Sequence, residues 1–63
     1  MNIFYEVEVV PAPFGRGWTV VRGGRDSRGF FQEWIGENYP TYAEAEAAAH
    51  AWNLRCPATE VRP

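Results

Sequence analysis

The chain has one cysteine, Cys56, so no internal disulfide can form, and the Cys/His spacings of a structural zinc site are missing as well. It has no lysine: all six basic residues are arginine, a side chain suited to planar, bidentate contacts. No apolar run approaches the roughly 20 residues needed to cross a bilayer, and Met1 to Glu6 lack the positive flank and apolar core of a secretory signal. Together these absences exclude a disulfide or zinc scaffold and a spanning helix, and they set the expectation of a cytoplasmic protein, off the membrane, stabilised by packing alone. Charge of one sign is also scarce. A net charge of −2 is too mild for a general nucleic-acid binder and too mild for a surface that imitates DNA by charge density.

Aromatic residues, by contrast, are plentiful at 16%, with three Trp, three Tyr and four Phe. Each can bury about 150–250 Å² when enclosed. They offset a size disadvantage, because a chain near 60 residues buries only about 60% of the surface its unfolded form exposes. The 63 residues are read as one domain, 1–63, with no internal repeat.

Residues 2–10 alternate as a strand, with Ile3, Tyr5, Val7 and Val9 expected on one side and Phe4, Glu6, Glu8 and Val10 on the other. Two prolines and two glycines in Pro11–Gly17 then break regular structure. A second strand, Trp18 to Arg22, and a third, Phe30 to Ile35, read as a hairpin around a long polar loop, Gly23 to Gly29. Thr41 followed by Glu44 has the spacing of a capping box, so a helix is expected from about residue 42. At about 100° per residue, Tyr42, Ala45, Ala48, Ala49 and Trp52 share the face that should meet the sheet, and Glu46, His50 and Asn53 fall elsewhere. Small alanines let the helix lie close, leaving Tyr5, Val7, Trp18, Val20 and Trp34 to fill the core. The expected fold class is α+β: a three-stranded antiparallel sheet with one C-terminal helix packed on one face, in βββα order. Two readings of residues 54–63 stand open, a flexible tail and a short edge strand at Glu60-Val61-Arg62.

Few residues suit catalysis. Cys56 and His50 are six positions apart, about 240° in helical phase, which separates a would-be nucleophile from its base. Glu6, Glu8 and Glu33 are expected on one side of the sheet, yet without histidine or aspartate partners they read as a soluble face rather than a metal site. No catalytic, cofactor or metal residue is therefore assigned, and the chain reads as non-enzymatic.

The sheet face away from the helix is the candidate functional surface. The alternation places Phe4, Val10, Thr19, Val21, Phe31 and Ile35 there, too apolar for plain exposure, which points to a protein partner or a second copy of the chain. Phe4, Phe31 and Ile35 are the expected anchors, with Arg22, Arg25 and Arg28 adding charge-assisted contacts from the hairpin tip. The alternative is nucleic-acid binding, in which those three arginines hold phosphates. Aromatic stacking on RNA is disfavoured, since Phe4 and Phe31 are expected beside Glu6, Glu8 and Glu33.

Gly17-Trp18-Thr19-Val20-Val21 followed by Thr41-Tyr42-Ala43-Glu44-Ala45-Glu46-Ala47-Ala48 gives the pattern G-W-x-V…T-x-x-E-A-x-x-A. Over residues 3 to about 53 it resembles small bacterial and phage domains of three strands and a helix, among them the N-terminal domains of HicB-type antitoxins. Where those antitoxins carry a Pro-Gly-Cys segment before the helix, this chain has Trp34-Ile35-Gly36-Glu37-Asn38-Tyr39. The resemblance implies a partner-binding module that blocks another protein, antitoxin-like or a phage-encoded inhibitor.

Overall fold

A computed structural model describes residues 2–59. Three strands, β1 (Ile3–Pro11), β2 (Trp18–Asp26) and β3 (Gly29–Trp34), form an antiparallel sheet in the order β1-β2-β3, and α1 (Tyr42–Arg55) packs on one face. The fold is thus the α+β, βββα arrangement that the sequence pattern points to. A single 3-10 turn, Pro13–Gly15, occupies the Pro/Gly-rich break between β1 and β2.

The helix starts as its sequence dictates. Thr41 is the N-cap: its hydroxyl accepts from the Glu44 amide at 3.2 Å, and the Glu44 carboxylate accepts from the Thr41 amide at 3.3 Å, closing the capping box. Both groups are exposed, so replacing Thr41 with alanine should cost about 1 kcal/mol. In a domain this small that lowers the unfolding midpoint by about 4–8 °C. Calorimetry showing no shift would mean that the box adds nothing in solution.

Ala45 and Ala49 are buried against Val7 and Val20, and Val20 is wholly enclosed. Val9, Trp18, Ile35, Tyr39, Ala48 and Trp52 close around this nucleus. Tyr42 remains half-exposed while its ring meets Trp18 edge-on at 5.1 Å. The helix lies mainly over β1 and β2 and leaves β3 as an overhang.

Two features change the assignment of sheet faces. In β1 the register slips between Phe4, opposite Gly24, and Val7, opposite Arg22, so Tyr5 and Glu6 together face the single residue Gly23. A bulge of this kind reverses the phase of alternation, and Phe4 joins Val7 and Val9 on the helix side instead of opposing them. The hairpin is also tighter than its glycines suggest. β2 runs through Gly23 and Gly24 to Asp26, and only Ser27 and Arg28 form the turn, with Gly29 at φ 118° and the Asp26 carboxylate accepting from the Arg28 amide at 2.8 Å. The resulting register sets Trp34 beside Val21, and Phe31, Glu33 and Ile35 on the helix side. Trp34, expected in the core, is 66% exposed on the far face. Glu33 is separated from Glu8 by the sheet, so the carboxylates expected together are apart.

Asn53 and Thr59 are tied to the side of β1 away from β2. Asn53, placed by helical phase with Glu46 and His50, instead holds the strand: its carbonyl accepts from the Val7 amide at 2.7 Å, and its amide donates to the Val7 carbonyl at 3.3 Å. Thr59 repeats the arrangement at Phe4, its hydroxyl accepting from the Phe4 amide at 2.8 Å and its own amide donating to the Phe4 carbonyl at 2.9 Å. Leu54 and Arg55, at the start of the stretch read as a tail, belong to the helix. The edge strand contemplated at Glu60-Val61-Arg62 lies outside the described residues.

Candidate protein-binding surface

The residues singled out from the sequence are divided among three places. Phe4, Phe31, Ile35 and Arg22 lie on the helix side, where a groove of about 350 Å³ opens between the sheet and the end of α1, with Trp52 and Cys56 on its other wall. Phe4 and Phe31 meet edge-on across Gly24 with ring centroids 5.9 Å apart. Ile35 packs against the buried nucleus. The three anchors expected on the far face are therefore turned the other way by the bulge and the two-residue turn, and each is at least half enclosed by the chain itself.

The arginines do not form one tip cluster. Arg22 is 8% exposed, its guanidinium donates to the Cys56 carbonyl at 2.5 Å, and its charge lies 5.9 Å from the Phe4 ring centroid. That bond occupies a carbonyl left over at the helix C-terminus, where a cation is favoured by the helix dipole. Arg25 lies on the opposite face, in a row with Ile3 and Phe30. Arg28 is in the exposed turn. Cys56 is exposed and caps the helix, its amide bonded to the Trp52 carbonyl, and His50 is exposed as well. Among the described residues no group of His, Cys, Asp or Glu could hold a metal ion, and no helix is long and apolar enough to cross a membrane.

The far face carries its own burial and its own exposure. Thr19 and Val21 are almost completely enclosed there, Thr19 donating from its hydroxyl to the Glu37 carbonyl at 2.9 Å. Away from them, over β3, large apolar groups stand in solvent: Phe30 is 79% and Trp34 66% exposed, with exposed Gln32 between them. These three share a face because they alternate along the strand.

The same three residues also present their backbone outward. Ile35 donates to the Val20 carbonyl at 3.2 Å, so the hydrogen-bonded pairs with β2 fall at Ile35, Glu33, Phe31 and Gly29. The amides and carbonyls of Phe30, Gln32 and Trp34 consequently point away from β2, towards a side where no further strand lies among the described residues. On the other margin of the sheet, Asn53 and Thr59 occupy the corresponding groups of Val7 and Phe4. The sequence carried a signal for this surface: counting back from Asp26-Ser27-Arg28-Gly29 as a two-residue turn sets Trp34 against Val21 and takes it out of the core.

No protein family, curated protein or solved structure matches the chain.

Proposed function

We propose that this chain is a non-catalytic protein-binding module that takes an extended polypeptide along the outer edge of β3. The carrying observation is the coincidence, at Phe30, Gln32 and Trp34, of outward-facing backbone groups with two exposed aromatic rings on one face. Backbone pairing at a sheet edge supplies affinity and side chains on alternate positions supply selectivity, the mode of recognition called strand addition. Aromatic side chains are among the groups most enriched where proteins meet. The narrower reading, an antitoxin-like or phage-encoded inhibitor that blocks its partner, is supported by the sequence resemblance.

Division of the arginines works against the nucleic-acid alternative, because Arg22 is engaged with the Cys56 carbonyl on one face while Arg25 lies on the other. Peptides selected by display against the immobilised protein are expected to slow hydrogen exchange at the amides of Gln32 and Trp34. They should bind a Gln32→Pro variant about tenfold more weakly, the loss of one edge hydrogen bond and its neighbours. Proline is tolerated there because the amide it removes faces away from β2. Selected peptides that bind the variant as tightly as the wild type would place recognition elsewhere and defeat this reading.

A further inference from the structure

From the β3 edge we infer that the polypeptide it takes is a second copy of this chain, paired antiparallel about a two-fold axis through Gln32 to give a continuous six-stranded sheet. The inference rests on the strand-addition reading above and names its partner.

Self-complementarity of the edge carries the argument. About Gln32 the outward residues are palindromic in character, aromatic, polar, aromatic. A two-fold axis there sets Phe30 against the partner's Trp34, Trp34 against the partner's Phe30, and the two Gln32 residues against each other. All three positions have amides and carbonyls facing the edge, so every pair is of the hydrogen-bonded type. The aromatic pairs lie on the far face, where both rings are exposed in the single chain.

Charge selects the register. With the axis at Gln32, Glu33 falls opposite the partner's Phe31 on the other face, and no like charges meet along the strand. Moving the axis one residue, to Glu33, would bring two carboxylates directly together, an arrangement that destabilises strand pairs. Moving it one residue the other way, to Phe31, sets Trp34 against the partner's Arg28 in the turn and takes it out of the ladder. Gln32 is thus the centre that keeps both aromatic pairs and avoids repulsion. The interface is one short strand wide, which places the dimer among weak associations rather than obligate ones.

Light scattering over a concentration series reaching millimolar should show the mass rising from the 7.2 kDa of one chain towards twice that value. Gln32→Pro should remain at the single-chain mass and still unfold cooperatively. Register is read by cysteine pairs in a Cys56→Ser background. Across the axis the Cα atoms of a hydrogen-bonded pair are about 5.5 Å apart, within disulfide reach, so Gln32→Cys should cross-link on oxidation. Phe30→Cys should not, because four residues of offset along the strands separate the two copies by about 14 Å. The cysteine variants decide the matter even if the proline variant does not fold. A single-chain mass at every concentration, a dimer unaffected by Gln32→Pro, or cross-linking through Phe30→Cys in preference to Gln32→Cys would overturn the inference. A single-chain mass with display-selected peptides still bound along β3 would sink it alone and leave the binding module standing.

Discussion

Replacing Asn53 with leucine is expected to lower stability by about 2–3 kcal/mol, although the residue is neither in the hydrophobic nucleus nor on the expected inner face of the helix. Its carboxamide serves both the amide and the carbonyl of Val7 from a part-buried position, as a neighbouring strand would. Leucine fills a similar volume and leaves both backbone groups without their partner, and each such group costs about 1–3 kcal/mol, less where water can reach. At about 4–8 °C per kcal/mol for a domain of this size, the unfolding midpoint should fall by about 8–24 °C. Aspartate keeps the acceptor for the Val7 amide but loses the donor to the Val7 carbonyl, so it should fall between wild type and leucine. Equal midpoints for wild type and the leucine variant in thermal unfolding would show that water replaces the side chain at no cost.

Gly24→Ala should be the more damaging change, at about 3 kcal/mol, the upper part of the usual range for overpacking. Gly24 lies in the central strand between Phe4 on β1 and Phe31 on β3, and the absence of a side chain there lets the two rings meet above it. A Cβ would run into the Ile3 carbonyl oxygen and the Phe31 ring. The ring can turn aside, whereas the carbonyl belongs to the β1 backbone and moves only with the strand. A chain of 63 residues has about 3–9 kcal/mol of stability in all, so the variant is expected to lose a third or more of it and to unfold at a markedly lower denaturant concentration. Combining Gly24→Ala with Phe31→Ala removes the ring clash and should recover part of the loss, measured as a coupling in a double-mutant cycle. If Gly24→Ala alone unfolds within about 0.5 kcal/mol of wild type in denaturant, the strand is not as close-set as its geometry implies.

Elements were legible in the sequence, and faces were not. Thr41 and Glu44 announce the helix because a capping box is local chemistry, complete within four residues. The alternation at Ile3 to Val10 and the β-branched run at Val20 and Val21 announce strands for an equally local reason. Which side of the sheet a residue joins, however, depends on counting from a turn through every intervening position, and a single extra residue reverses it. The bulge at Tyr5 and Glu6 supplies that extra residue on β1, and Gly23-Gly24, read as loop, is strand, with two phenylalanines meeting over Gly24. Phe4, Phe31 and Ile35 consequently changed sides together. Phe30 and Trp34 stand on the far face in their place, beside Val10, Thr19 and Val21, which lie there as the alternation sets them. Asn53 gives no local signal of its role because it sits four positions after the buried Ala49, at the margin of the inner face, where a polar residue reads as solvent-facing until a strand edge is brought beside it.

The ties from Asn53 to Val7 and from Thr59 to Phe4 span 46 and 55 positions of sequence. Contacts so distant along the chain form late, after the cost of closing a long loop has been met. Until they form, the sheet has two unsealed margins instead of one, and its exposure to wrong neighbours is greatest in that interval of folding.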